Sequence, residues 1–123
     1  MTGAPWASSG LEVLRTADFD GERLNRAGTY VVCFGAEWCP VTRRFVPKFV
    51  ARRDEFDGRL AIADITDRED PLWDRFHIRI TPSILVFRDG AVHARTDGRP
   101  ILGVTRSDLD NLQEAFPSVP SRT

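Results

Sequence analysis

A chain of 123 residues is enough for one domain, able to bury about two-thirds of its unfolded surface around a single core. With 41% hydrophobic residues and a formal net charge of −1, the composition is that of a globular protein with interspersed charges, which leaves no basic face for nucleic acid. No stretch is long and apolar enough to cross a membrane, and residues 1–10 lack the basic start and apolar run of a secretory signal, so the expected compartment is the cytoplasm.

In chain order, residues 1–10 are rich in small side chains, with Trp6 the one large exception, and are expected to be a flexible segment before a single domain over 11–117. Leu11-Glu12-Val13-Leu14-Arg15 alternates and predicts a first strand. Thr16 is placed to cap a short helix that carries Phe19 and Leu24 and ends near Gly28. Tyr30 to Gly35 is continuous and apolar, the pattern of a central strand covered on both faces. Pro40 to about Asp57 predicts a long helix with Phe45, Val46, Phe49, Val50 and Phe56 on its core face. A strand from Arg59 to Ile65 and a short helix from Pro71 to Phe76 follow. Ser83–Phe87 and Ala91–Arg95 predict a hairpin about Arg88-Asp89-Gly90. Thr105 caps a last helix bearing Leu109, Leu112 and Phe116, which Pro117 stops, leaving 118–123 as a tail. The order βαβαβαββα gives an α/β fold: a central mixed sheet with helices on both faces.

Cys39 stands where the apolar strand gives way to the long helix. The unpaired N–H groups and macrodipole of a helix start favour the thiolate, which is the reactive form. Pro40 suits the first turn, where its missing N–H costs nothing. The competing reading of Cys39 is a buried, inert small hydrophobe. Cys33, six residues earlier, lies within the central strand, where burial should raise its pKa. Arg43, Arg44, Lys48, Arg52 and Arg53 form the solvated face of the helix, with Arg43 and Arg44 nearest Cys39. His77 and His93 have no partner at ligand spacing, and neither a metal nor a cofactor is expected.

Val32 to Pro47 resembles the active-site segment of the thioredoxin family: an apolar strand, Ala-Glu-Trp-Cys-x-x-Cys, then a helix containing a proline. Ala36-Glu37-Trp38-Cys39 matches, and Pro47 falls where the family's helix is kinked. Phe76 to Phe87, with Thr81-Pro82 inside it, is similar to the segment around the family's cis-proline. The resemblance covers residues 11–116 and implies a thioredoxin-like fold. It also implies that Cys39 is the attacking thiol, that Pro82 is cis and packs on it, and that the Thr81 backbone pairs with an extended substrate. Trp38 and Pro40 would complete the substrate groove, and the family's glycine after the last strand would be Gly98 or Gly103.

The departure is Thr42, which occupies the place of the family's second, resolving cysteine. Threonine cannot attack a mixed disulfide, although its hydroxyl can hydrogen-bond the Cys39 thiolate. Cys33 takes the place of the family's buried aspartate, and Ile62 falls near its accompanying lysine. Three functions follow from these residues. The first is a monothiol protein whose Cys39 exchanges with a protein disulfide or a low-molecular-weight thiol and is resolved externally. The second is a redox-inactive module that binds a protein partner through the same groove. The third is an atypical dithiol pairing Cys33 with Cys39.

Overall fold

The computed structural model describes residues 6–7, 9–99 and 103–115, with the side chains of 113–115 excepted. Five strands form one mixed sheet: β1 (Glu12–Leu14), β4 (Thr29–Gly35), β5 (Arg59–Asp64), β6 (Ser83–Arg88) and β7 (Ala91–Asp97), in the spatial order β1-β5-β4-β6-β7. The first three are mutually parallel, and β6 and β7 run antiparallel to their neighbours. This is the expected α/β architecture, with the apolar run at 30–35 in the middle of the sheet.

Side chains alternate across β4, so one strand feeds two cores. Val31 and Cys33 join Ile62, Ile84 and Val86 against Phe45, Val46 and Phe49 of α1 (Pro40–Ala51) and Leu109 and Leu112 of α3 (Arg106–Ala115). Tyr30, Val32 and Phe34 face the other way, with Leu85 and Phe87, toward Phe76 and toward Leu72 of α2 (Leu72–Arg75). Phe19, Phe34, Phe76 and Phe87 pack there in tilted and edge-on pairs, with ring centroids between 5.3 and 6.4 Å apart. Both ends of the central strand are therefore held from above and below, and its C-terminal end delivers the chain directly to Cys39.

The helix expected over 16–28 is instead a single 3₁₀ turn, Thr16–Asp18, followed by a hairpin of β2 (Phe19–Asp20) and β3 (Arg23–Leu24). Phe19 and Leu24 would sit about 140° apart on a helix, whereas as cross-strand partners both reach the core. Gly21, at φ 61°, supplies the positive φ that the tight turn needs. Thr16 caps nothing; its hydroxyl donates to the Asp70 carboxylate at 2.9 Å. The helix expected to reach Asp57 ends at Ala51, where Arg52 N–H bonds Phe49 O in an i→i+3 pattern and a 3₁₀ turn over Arg53–Glu55 follows. Phe56 still enters the core from beyond the helix, while Val50 is half-buried.

Trp6 is buried in the α1/α3 core, so within the segment expected to be flexible one side chain is packed. Ser9 Oγ donates to Trp6 O at 2.8 Å, and Arg53 Nη2 donates to Ser9 O at 3.1 Å. Thr105 caps α3 as expected, accepting from Asp108 N–H while Asp108 Oδ2 accepts from Thr105 N–H, a reciprocal box. Phe116, Pro117 and the tail at 118–123 lie outside the described residues. Among the described residues, no helix is long and apolar enough to cross a membrane.

Candidate functional site

Residues 35–39 turn from the end of β4 into α1, and Cys39 is the N-cap, with extended backbone angles of φ −89° and ψ 114°. Its N–H bonds Ala36 O at 3.1 Å, its carbonyl accepts from Arg43 N–H at 3.1 Å, and Pro40 occupies the first helical position. Across from it, the Thr81–Pro82 bond is cis. The Cys39 thiol donates to Thr81 O at 3.5 Å, joining two segments 42 residues apart in sequence. Gly98 and Gly103 both back onto Pro82: a Cβ on Gly98 would collide with Pro82 O, and one on Gly103 would overlap the Val41 side chain and touch Pro82 Cδ. Both of the glycines offered by the resemblance thus lie where an added side chain would meet Pro82.

Burial pushes the Cys39 thiol up, but four groups favour the thiolate and together bring it below the ordinary value. They are the Thr81 side chain, the Thr42 N–H and hydroxyl, and the Val41 N–H. The two N–H groups are the free donors of the helix start, acting as the strand-to-helix junction predicts. Thr42 is fully buried, with its methyl against the backbone of Gly35. Its buried Oγ1 has no other hydrogen-bond partner, which leaves the hydroxyl to stabilise the Cys39 thiolate.

Cys33 is fully buried between Ile62 on β5 and Ile84 on β6, its register partners. Burial pushes its thiol far above the ordinary range, and the nearby charge of Cys39 adds to that. Both cysteines are free. Ile62, suggested as the counterpart of a lysine, does stand opposite Cys33, so an apolar pair fills that part of the core.

Trp38 is 42% exposed beside Cys39, and Pro40 is also exposed. The Trp38 indole N–H donates to Thr66 O at 2.8 Å, and its ring stacks on Trp73 with centroids 6.3 Å apart and planes 8° from parallel. The Arg68 guanidinium lies over the Trp38 ring at 3.9 Å. Thr66 also accepts from Glu37 N–H, and its hydroxyl donates to Asp64 at 2.6 Å. Arg43, on the part of the helix face nearest Cys39, donates to Glu37 O at 2.9 Å. Thr66, Arg68 and Trp73 had no motif to mark them. Their signal is topological, because β5 runs parallel to β4 and the residues just past both C-terminal ends must meet. His77 and His93 are both exposed on the surface.

The family model described as thioredoxin matches residues 10–109. Protein disulfide-isomerase A5 of Mus musculus is 31% identical over 97 residues, covering 73% of this chain and 19% of that protein. The Bos taurus protein disulfide-isomerase A5 is 29% identical over 97 residues, covering 73% of this chain and 18% of its own length. The chain thus spans about one-fifth of these curated relatives. Among solved structures, Chlamydomonas reinhardtii thioredoxin f2 superposes with a TM-score of 0.71 at 20% identity, over 89% of this chain and 99% of that one. Mitochondrial thioredoxin 3 of Saccharomyces cerevisiae, in its oxidized form, gives 0.67 at 19% identity, over 89% and 100%. At such identities these structures attest the fold, a thioredoxin-like one. The sequence match over most of the chain attests the lineage: this protein belongs to the thioredoxin family.

Proposed function

We propose that the protein is a monothiol thiol–disulfide exchange protein. The Cys39 thiolate attacks one sulfur of a substrate disulfide; a Cys39–substrate disulfide forms, and the other substrate sulfur leaves as a thiolate that takes a proton from solvent. An external thiolate then attacks the mixed disulfide, takes the substrate sulfur into a new disulfide and returns Cys39 to its thiolate. Trp38, Pro40 and the Thr81–Pro82 segment shape the groove, and Thr42 holds the thiolate without resolving the intermediate. Protein disulfides or thiols and a low-molecular-weight thiol are the partners, and the cytoplasm is a compartment that supplies the external thiol.

The observation that carries this reading is the placement of the Cys39 sulfur at the start of α1, 3.5 Å from the carbonyl before cis-Pro82, with its pKa lowered. The test is incubation with hydroxyethyl disulfide followed by intact mass and peptide mapping. A single adduct on Cys39, released by added thiol, is expected; a protein that stays unmodified in native buffer but reacts when unfolded contradicts the reading. That second result would favour the redox-inactive binding module, for which the supporting observation is that Cys39 is only 9% exposed. The dithiol alternative draws on the electrostatic proximity of Cys33 to Cys39. It predicts loss of both free thiols on mild oxidation of the monomer, against the burial that keeps Cys33 protonated.

A further inference from the structure

A groove leaves the site along α1. One stripe of that helix, Val41, Arg44, Phe45 and Lys48, recurs at helical spacing, and it faces Val104 and the start of α3. A small cavity of about 70 Å³ between Val41 and Val104 shares Phe45, Lys48 and Val104 with a larger one of about 540 Å³ that runs on to Arg106 and Leu109. The near end is continuous with the site, because Gly103 abuts both Val41 and Pro82.

The floor is apolar and the rim is basic. Phe45, Val104 and Leu109 are nearly buried, and Arg44, Lys48 and Arg106 are exposed above them. A fourth cation, Arg52, is held by Glu55 at 2.8 Å and Asp110 at 2.7 Å, so the charge of the rim rests on Lys48 and Arg106. Among the described residues, no carboxylate lines either cavity. A charge field of one sign over an apolar floor attracts a segment of the opposite sign that also carries an apolar side chain.

Resting on the thiol-exchange reading above, we propose that this groove receives the stretch of a protein substrate that flanks its disulfide, and that it selects acidic stretches bearing an apolar residue. The stretch is extended, lies along α1 and presents its disulfide sulfur to Cys39. Its carboxylates pair with Lys48 and Arg106, and its apolar side chain meets Phe45 and Val104.

The test uses three short peptides, each with one cysteine held as a mixed disulfide with 2-mercaptoethanol and followed by an acidic, an amide or a basic flank around a leucine. Attack by Cys39 forms its disulfide with the peptide cysteine and releases 2-mercaptoethanol, and the rate is read by mass. The acidic peptide should react about tenfold faster than the basic one at low ionic strength, and salt should shrink the difference. Lys48→Glu with Arg106→Glu should abolish or reverse the preference. Amide shifts on binding of the acidic peptide to a Cys39→Ser variant should map to Phe45, Lys48 and Val104. Equal rates for the three peptides, a preference that survives the charge reversal, or shifts elsewhere would overturn the proposal. Hydroxyethyl disulfide separates the two failures: if the unmodified protein reacts with it, only the groove is misassigned, and if it does not, the exchange reading falls and the groove proposal falls with it.

Discussion

Two thiols six residues apart have opposite fates in this fold. Cys33 sits mid-strand, sealed between Ile62 and Ile84, and burial drives its pKa up. Cys39 sits one turn of chain beyond the strand end, where burial also pushes its pKa up but is outweighed by the donors of Thr81, Thr42 and Val41. The same side chain is held protonated in the core in one place and, on the function proposed above, is the nucleophile in the other. What separates them is the local supply of hydrogen-bond donors at a helix start, more than depth alone.

The largest expected break in this contrast comes from Thr42→Cys. It places a second thiol one helical turn from Cys39, and disulfide reductase turnover should rise by at least about tenfold because an internal attack replaces an external one. A folded variant that stays inactive in an insulin-reduction assay would show that the groove lacks more than a resolving thiol.

The two cysteines should also have opposite effects on stability. Cys33 keeps its proton in the folded state above the ordinary thiol pKa, where the unfolded chain loses it. Stability is therefore fully present below about pH 8.5 and falls above it, by up to about 1.4 kcal/mol per pH unit. Cys39 has the reverse sign: its folded pKa is lowered, so its contribution is present above the unfolded thiol value and is lost as pH falls through the folded one. Urea unfolding of the unmodified protein and of Cys33→Val between pH 6 and 10, each compared with its own value at neutral pH, separates the terms. The alkaline decline should be much weaker in Cys33→Val, and an equal decline in both would contradict the placement of Cys33.

Smaller effects sharpen the Cys39 side. Trp73→Ala removes the ring stacked on Trp38 and should cost about 1 kcal/mol, with a change in Trp38 fluorescence that reports its loosened ring. Thr42→Val keeps the methyl packed on Gly35 and removes only the hydroxyl, so stability should change little while the Cys39 pKa rises. An unchanged pKa in that variant would mean that the backbone N–H groups and Thr81 stabilise the thiolate without it.

The parts of the fold legible in the sequence are those whose pattern is dictated by a single neighbour relation. The continuous apolar run of β4, the Asp-Gly turn between β6 and β7, and the Thr105 cap with its Asp108 partner all follow from local rules. Residues 16–28 misled because Phe19 and Leu24 fit no helical face closely, and Gly21 marks the tight turn between them. Trp6 was concealed by its small neighbours, which say nothing of the core that waits for it. Within the site, Cys39, Thr42, Thr81 and Pro82 were nameable because a motif carries them. Thr66, Arg68 and Trp73 became neighbours of Trp38 only once β4 and β5 were known to run parallel.

The central claim is that Cys39 is activated and Cys33 is not. Its most direct test is the pH dependence of iodoacetamide alkylation in the native protein, with peptide mapping to separate the two thiols. The account predicts rapid modification of Cys39 with an apparent pKa below that of a free thiol, and no native-state modification of Cys33 across the same range. Slow modification of Cys39 with an unshifted pKa, or equal labelling of both cysteines, would contradict it.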